Sequence, residues 1–208
     1  MEALADYPHD TAPSYASAYL WEPLARILAS RPGSRIFELG CGNGTVATRL
    51  SELGHDVVAV DPSESGIRIA RAQGKGRFEI GDAYEDLAAR FGRFPVVVSL
   101  EVVEHCFYPR KFAATVFGLV EDGGIAIVST PYHGYWKNLA LALAGRMDAH
   151  FGALWDGGHV KFFSERTLRA LLEEAGFTDV AFVGAGRIAP FAKSMIAIAR
   201  RPARPQGS

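Results

Sequence analysis

The run Glu38–Gly44 (ELGCGNG) follows a short apolar segment and precedes a helix-length one. Glycines at such a turn let the backbone bend tightly and approach a ligand, because no Cβ atom stands in the way. Dinucleotide-binding loops share this feature, but their spacing is GxGxxG, whereas Gly40, Gly42 and Gly44 form GxGxG. A carboxylate at Glu38 could pair with an ammonium group and would repel a pyrophosphate. The loop therefore favours a ligand that carries an amine and disfavours NAD or NADP.

Two more acidic residues stand where predicted strands end. Asp61 terminates the second predicted strand, where a carboxylate can accept hydrogen bonds from both ribose hydroxyls, and Pro62 would present an apolar edge to a base. Asp82 and Ala83 follow the third predicted strand, and Asp82 is placed to accept from an exocyclic adenine amine. Each acid alone could be a helix N-cap. Acids at three successive strand ends, Glu38 included, favour a nucleoside site.

A possible metal site follows the fourth predicted strand. Glu101, Glu104 and His105 stand at positions i, i+3 and i+4, which share one face of a helical turn. Far downstream, the stretch GGHVKFF supplies a second imidazole at His159. Two carboxylates and two imidazoles could hold a divalent cation. The nitrogen ligands favour Mn²⁺, Fe²⁺ or Zn²⁺ over Mg²⁺, which prefers oxygen.

The same residues also have an interpretation without a metal. His105 can act as a general base beside Glu104, or it can simply pack, and Glu101 can support the cofactor pocket. His105 and Glu104 are therefore candidate catalytic residues whether or not a metal is bound.

Short apolar runs alternate with helix-length amphipathic segments along most of the chain. This alternation predicts an α/β fold with a parallel sheet covered by helices on both faces. Strands are predicted at Arg35–Leu39, Asp56–Val60, Arg77–Ile80, Pro95–Leu100, Gly124–Ser129, Val180–Val183 and Met195–Ala199. Helices are predicted at Thr45–Leu53, Ser63–Gln73, Tyr84–Phe91, Pro109–Leu119 and Ser164–Ala175.

Two further segments could cover a site at the sheet edge. A helix predicted over Pro13–Ala29 carries Tyr15 and Tyr19 on one face, so it could either close over a cofactor or dock on the sheet. Residues 131–163 form an unusually long connection, which we expect to be a lid. Its large aromatic and imidazole side chains favour a planar or apolar substrate: Tyr132, His133, Tyr135, Trp136, Trp155 and Phe162.

The composition limits the remaining possibilities. The chain has 208 residues and a formal net charge of −1, so a single domain without a basic surface for nucleic acid is expected. We expect that domain over residues 1–200, with a helical arm at 1–30, the lid at 131–163 and a flexible tail at 201–208. No apolar run could span a bilayer and no signal pattern begins the chain. With only two cysteines, we expect reduced thiols and a cytoplasmic location. We expect the protein to be a monomer or a homodimer.

The run Glu38–Gly44, with Asp61 and Asp82 in register, resembles the class I S-adenosylmethionine-dependent methyltransferases over about Arg35–Arg200. The resemblance implies a Rossmann-like seven-stranded sheet of order 3-2-1-4-5-7-6 with the last strand antiparallel. It also implies that the three loop glycines cradle the methionyl part of the cofactor, Asp61 binds the ribose and Asp82 the adenine. Glu38 would orient the loop or meet the methionine amine.

The stretch Glu101–His105, with the later His159, is similar to two groups within that class. One comprises the O-methyltransferases of the ubiquinone pathway. The other comprises the small-RNA 2′-O-methyltransferases, in which the four corresponding side chains hold a metal that contacts the accepting hydroxyls.

These features favour an O-methyltransferase that acts on a small, hydroxylated, aromatic metabolite. The alternatives are N- or C-methylation of a natural-product ring or sugar with His105 as base, RNA-terminal 2′-O-methylation, and a non-catalytic cofactor-binding scaffold. The near-neutral charge disfavours RNA, and the intact glycine loop together with His105 disfavours the scaffold.

Overall fold

The computed structural model describes residues 15–155, 157–188 and 191–204, with the side chains of Tyr15 and Ser17 excepted. Residues 1–14 of the predicted arm and 205–208 of the predicted tail lie outside these ranges.

Seven strands of the described chain form one sheet. They are β1 (Arg35–Leu39), β2 (Asp56–Asp61), β3 (Arg77–Ile80), β4 (Phe94–Leu100), β5 (Val120–Pro131), β6 (Thr178–Ala185) and β7 (Ser194–Arg200). Their order across the sheet is β3-β2-β1-β4-β5-β7-β6. The first five run parallel, and β7 is antiparallel to both β5 and β6. The predicted order and the antiparallel last strand are therefore confirmed.

The helices alternate with the strands as the sequence pattern predicts. They are α1 (Tyr15–Leu28), α2 (Thr45–Glu52), α3 (Glu64–Gln73), α4 (Leu87–Phe91), α5 (Pro109–Leu119), α6 (Tyr135–Leu143), α7 (Met147–Phe151) and α8 (Glu165–Glu174), with a 3-10 turn at Val103–His105. Local caps set several boundaries. Ser63 accepts from the Gly66 amide at the start of α3, and Ser164 forms a capping box with Thr167 at the start of α8.

Each face of the sheet buries its own apolar cluster. Successive side chains of a strand point to opposite faces, and β1 shows the consequence. Ile36 packs in the cluster that α1, α2 and α3 cover, whereas Phe37 packs in the cluster that α5 and α8 cover. Both side chains are completely buried. This two-sided burial explains why the central strands are continuous apolar runs rather than alternating ones.

The helix predicted over Tyr84–Phe91 is shorter than expected. The Asp86 carboxylate accepts from the Ala89 amide, so α4 begins only at Leu87. Ahead of it, the Tyr84 amide donates to Asp82 Oδ1 at 2.7 Å, and this local bond holds a turn instead of a helical start.

Arg201 belongs to the folded domain, so the predicted tail starts too early. Its Nη1 donates to the carbonyls of Phe117 and Val120 at 2.6 and 3.1 Å, and its Nε lies 2.9 Å from the Asp122 carboxylate. The sequence pattern shows a polar, proline-bearing segment and does not show these long-range acceptors.

Candidate functional site

The sheet topology brings the predicted site residues to one edge. Parallel strands end at the same edge, so the residues that follow β1 to β5 are neighbours there. Because β7 is antiparallel, it begins at that edge, and Ser194 pairs with Pro131 at the end of β5. This edge therefore brings together residues that follow the early strands and Ser194, which lies much later in the sequence.

The glycine loop between β1 and α2 needs its glycines for two physical reasons. Gly40, Gly42 and Gly44 have φ angles of 82°, 53° and 78°, in the left-handed region that other residues avoid. Space is also short. A Cβ atom on Gly40 would lie 2.3 Å from Val102 Cγ2, and one on Gly44 would lie 2.7 Å from the Ala70 Cβ atom.

Asp61 ties the glycine loop to the end of β2. Its Oδ2 accepts from the Gly42 amide at 2.8 Å, and its Oδ1 accepts from the Ser63 amide at 2.9 Å. Each carboxylate oxygen can accept a further hydrogen bond, so the side chain can also serve a ribose hydroxyl. Pro62 beside it is exposed, so its ring is free to face a base.

Glu38 is a buried acid with an unused oxygen. Only 2% of the residue is exposed. Burial, followed by the neighbouring Asp61 charge, raises the pKa of its carboxyl group to about 8. Its Oε2 has no hydrogen-bond partner among the described residues. A buried acceptor of this kind suits a cation that arrives with a ligand.

Asp82 lies at the end of β3 with one oxygen committed and the residue half-buried. Its Oδ1 accepts from the Tyr84 amide, so part of its function is to shape the turn. Ala83 is also half-buried beside it. The turn places both residues at the carboxyl edge of the sheet, next to the end of β2.

Glu101 does not share a helical face with Glu104 and His105, contrary to the spacing argument. It has a φ of 55°, and the 3-10 turn begins only at Val103. Its carboxylate accepts from Ser129 Oγ at 2.7 Å and from Ser194 Oγ at 3.0 Å. The left-handed backbone breaks the helical register, and two hydroxyls from β5 and β7 hold the carboxylate.

The N-terminal helix connects to this carboxylate. Tyr19 Oη lies 2.9 Å from Ser194 Oγ, which in turn donates to Glu101. Tyr19 is half-buried and packs against the cluster under α1. The side chain of Tyr15, the other predicted cofactor contact on this helix, lies outside the description.

Three of the four predicted metal ligands come together. Within the described ranges, Glu104, His105 and His159 each offer a ligand atom, and these atoms lie within 4.8 Å of one another. Glu101 is not in this group. The Val160 and Lys161 amides both donate to the Glu104 carbonyl, at 2.9 and 3.0 Å, so two backbone bonds hold the His159 segment against the acidic turn.

The charge state of this cluster is unusual. The Glu104 side chain is 1% exposed, and the Thr130 hydroxyl of β5 is the side-chain donor that favours its charged form. Burial, and then the Glu101 charge, raises the pKa of Glu104, whereas burial, with His105 and His150, lowers the pKa of His159 to about 4. A buried acid therefore lies beside two imidazoles whose pKa values are lowered, and this donor set fits a divalent cation.

The orientation of His105 is decided by a backbone carbonyl. Its Nδ1 lies 2.9 Å from the Gly157 carbonyl oxygen. Because a carbonyl can only accept, Nδ1 carries the proton and Nε2 keeps its lone pair. Burial lowers the pKa of His105, which favours the same neutral form. The ring thus presents Nε2 as a ligand or as a base.

Both cysteines are buried, and their chemistry is suppressed. Burial raises the pKa of Cys106 to about 12, and the pKa of Cys41 is raised by burial together with Glu38 and Asp61. Thiolates are the reactive form of cysteine, so neither side chain is set up as a nucleophile.

The sequence reasoning missed several polar residues at this edge. Ser129 and Ser194 stand at the ends of apolar runs, and both donate to Glu101. Lys137 on α6 donates to the carbonyls of Tyr132 and Lys193. Asn138 follows it on the same helix. A polar residue at a strand end in an otherwise apolar run was the available signal for the two serines.

The fold and this edge together define the class of the protein. A doubly wound sheet of this order, with a glycine loop after β1 and acids after the next strands, belongs to α/β enzymes that bind a nucleoside-bearing cofactor at the carboxyl edge. The chain belongs to the methyltransferase-domain family, whose model matches residues 13–181.

Similar proteins agree with this assignment. A ubiquinone biosynthesis O-methyltransferase of Azorhizobium caulinodans is 36% identical over 169 residues, which cover 74% of this chain and 62% of that protein. A protein of the same name from a Caulobacter species is 37% identical over 149 residues, which cover 67% of this chain and 58% of that protein. The chain thus spans about three fifths of the length of these relatives.

Solved structures share the fold. Magnesium protoporphyrin IX methyltransferase of Synechocystis PCC 6803, solved with bound S-adenosylhomocysteine, has a TM-score of 0.65 at 19% identity, covering 86% of this chain and 81% of its own. A methyltransferase of Mesorhizobium loti has a TM-score of 0.65 at 21% identity, covering 87% and 97%. No helix in the part of this chain that the structure describes is long and apolar enough to cross a membrane.

Proposed function

We propose that the protein transfers a methyl group from S-adenosylmethionine to a hydroxyl of a small aromatic acceptor, with Glu104, His105 and His159 holding a divalent cation. The observation that carries the proposal is the convergence of the buried Glu104 carboxylate with the imidazoles of His105 and His159, whose ligand atoms lie within 4.8 Å of one another. The names of the similar ubiquinone biosynthesis O-methyltransferases support a hydroxyl acceptor.

The methyl donor would lie along the carboxyl edge of β1, β2 and β3. Gly40, Gly42 and Gly44 leave space for its methionyl part, and Asp61 can accept from its ribose hydroxyls. Asp82 and Ala83 would meet the adenine, with Pro62 against the base. Glu38 would pair with the amine through Oε2, which has no hydrogen-bond partner among the described residues. Tyr15 and Tyr19 would close the site from α1.

The residues around the cluster position it for proton handling. Glu101 is held by Ser129 and Ser194 and supports the turn that carries Glu104 and His105, so we propose a positioning role for it in place of metal ligation. A divalent cation, when bound, would lower the pKa of the acceptor hydroxyl and orient its oxygen. In the neutral ring the Gly157 carbonyl accepts from Nδ1, so the lone pair is on Nε2.

Removal of metal tests the proposal. EDTA-treated enzyme should lose methyl transfer from S-adenosylmethionine to catechol, and Mn²⁺ should restore it, while the affinity for S-adenosylhomocysteine stays within twofold. His159→Ala should weaken Mn²⁺ binding by at least about tenfold. His150→Ala, the same change on the lid but outside the cluster, should leave Mn²⁺ affinity unchanged; calorimetry measures both.

Full activity in the metal-free enzyme would contradict the metal site. His105 would then be the general base, a role that also suits N- or C-methylation because Nε2 keeps its lone pair. In that case activity should fall as the pH drops through the pKa of His105, which burial lowers from its ordinary value of 6.5.

A further inference from the structure

An open cavity of about 420 Å³ adjoins the cluster of Glu104, His105 and His159. Its volume suits an aromatic acceptor, and His159 belongs both to its wall and to the cluster. All of its lining residues come from the lid, residues 131–163, so the position of the lid decides the shape of the cavity. They are His133, Asn138, Phe151, Ala153, His159 and Phe162.

The first turn of the lid helix α6 contains a residue that the helix itself does not favour. Lys137 is the third residue of α6, and this turn carries no acidic side chain and no side-chain cap. The amino end of a helix has a partial positive charge, so a cation there is unfavourable. A lysine at this position is therefore explained by tertiary contacts rather than by helix formation.

The ammonium group of Lys137 joins three segments of the chain. Its Nζ donates to the Tyr132 carbonyl at 2.8 Å and to the Lys193 carbonyl at 3.2 Å. Tyr132 follows β5 and Lys193 precedes β7, and the Tyr132 amide also donates to the Lys193 carbonyl at 3.0 Å. The side chain thus fastens α6 to the point where the pairing of β5 and β7 ends.

The surrounding charges leave this ammonium group ionised at neutral pH. Burial, and then the charge of Arg187, lowers the pKa of Lys137 to about 8, and the Glu101 carboxylate opposes this shift. Burial, and then the Lys137 charge, lowers the pKa values of His133 and His150. At pH 7 both bonds to the carbonyls are therefore charge-assisted, which makes them stronger than bonds between neutral groups.

We infer that Lys137 is a positioning residue for the acceptor site: it fixes the first turn of α6 to the sheet edge and so places the neighbouring wall of the cavity. His133 and Asn138, on either side of Lys137 in the sequence, are the wall residues that it places. The inference rests on the proposed function for the role of the cavity as the acceptor site.

Hydrogen exchange, followed by mass spectrometry with S-adenosylhomocysteine bound, measures how firmly α6 is held. Lys137→Met keeps the length of the side chain and removes its charge and its donors. The amides of α6 should exchange about tenfold faster in this variant, because α6 opens more often without the bonds to the two carbonyls. The amides of β4 and β5 should exchange at the native rate.

The dissociation constant of catechol, measured by calorimetry with S-adenosylhomocysteine and Mn²⁺ present, reports on the cavity itself. It should rise about tenfold in Lys137→Met, because α6 must then be ordered as catechol binds. The affinity for S-adenosylhomocysteine should stay within about twofold of the native value.

Two further variants assign these effects to the ammonium group. Lys137→Arg keeps the charge and the donors, so it should return both measurements to within about threefold of the native values. Lys75→Met makes the same change as Lys137→Met ahead of β3, at a side chain that is 67% exposed. It should change neither measurement.

The outcomes separate this inference from the proposed function. Native exchange of α6 in Lys137→Met, equal acceleration of α6 and the strands, or an unchanged catechol affinity would overturn the inference. So would a Lys137→Arg variant that behaves like Lys137→Met, or a native protein that does not bind catechol. If catechol binding depends on Lys137 but the native protein transfers no methyl group to catechol, the positioning role stands and the proposed O-methylation fails.

Discussion

The raised pKa of Glu38 favours the protonated form of its carboxyl group at neutral pH. Its pKa of about 8 is caused first by burial and then by the charge of Asp61. An ammonium group placed beside the carboxyl would favour its ionised form and lower that pKa. Ligand binding and proton release are therefore linked at this residue.

Binding of S-adenosylhomocysteine at pH 7 should release about one proton from Glu38, because the free carboxyl holds a proton below about pH 8 and the bound one does not. The affinity should consequently rise with pH between the ordinary carboxyl pKa and about 8, and level off above it. Calorimetry in buffers of different ionisation enthalpy counts the protons.

The control for this measurement is Glu38→Gln, which cannot ionise and should release none. If the native protein and Glu38→Gln exchange the same number of protons on binding, Glu38 does not meet the amine and only shapes the loop.

At the level of secondary-structure elements, α1 is tied to the sheet by hydroxyl groups. Tyr19 on α1 contacts Ser194 at the start of β7, and Ser194 contacts Glu101 at the end of β4. Ser129 of β5 holds the other oxygen of the same carboxylate. Four elements thus meet around one half-buried acid, next to the turn that carries Glu104.

Tyr19→Phe should lower the free energy of unfolding by about 0.5–1.5 kcal/mol, because it removes one partly buried hydrogen bond. Ser194→Ala should cost about 1–3 kcal/mol, because Glu101 Oε2 loses this donor in a buried setting. Urea unfolding of each purified variant gives both values.

Tyr135→Phe serves as the control for Tyr19→Phe. It removes the same hydroxyl from a residue that is 72% exposed, and it should change the free energy of unfolding by less than about 0.5 kcal/mol. Equal effects of the two tyrosine variants would show that the bond to Ser194 does not stabilise the position of α1.

Across the whole molecule, the segment that follows β7 contacts the region where β5 begins, at the opposite edge of the sheet from the site. Arg201 donates to two carbonyls around the α5–β5 junction, lies near Asp122 and stacks on Phe117, with its guanidinium carbon 4.3 Å from the ring centroid. Its side chain is only 11% exposed. This contact anchors β7, the strand that brings Ser194 to the site.

Arg201→Ala should therefore reduce the free energy of unfolding by about 1.5–3 kcal/mol, since several charge-assisted contacts of a buried guanidinium are lost together. Arg204→Ala also removes an ion pair with Asp122, but its side chain is 79% exposed, and the loss should stay below about 1 kcal/mol. Thermal and denaturant unfolding of the two variants measure the loss of stability in each. A loss as small for Arg201→Ala as for Arg204→Ala would refute the anchoring role.

The sheet and the glycine loop could be predicted from the sequence because their causes are local. Apolar runs such as Pro95–Leu100 show strands that need burial on both faces, and the order of the strands came from the resemblance that the loop revealed. A glycine is required wherever φ is positive and a Cβ atom would clash, as at Gly40 and Gly44. Strand burial and glycine geometry each depend on a few neighbouring residues, which is why the sequence shows them.

The roles of the polar side chains were decided by the tertiary structure, because their partners are distant along the chain. The spacing of Glu101, Glu104 and His105 predicted one helical face, but the left-handed backbone at Glu101 and the hydroxyls of Ser129 and Ser194 direct that carboxylate elsewhere. These hydroxyls come from strands that only the folded sheet brings together.

The tautomer of His105 and the cavity lined by residues 133–162 could not be predicted from the sequence either. The first depends on the carbonyl of Gly157, and the second depends on how His133, Asn138 and Phe162 pack in the folded chain. Hydrogen bonds and cavities between distant segments depend on three-dimensional packing. Residue types and their spacing along the chain do not show which distant segments will come into contact.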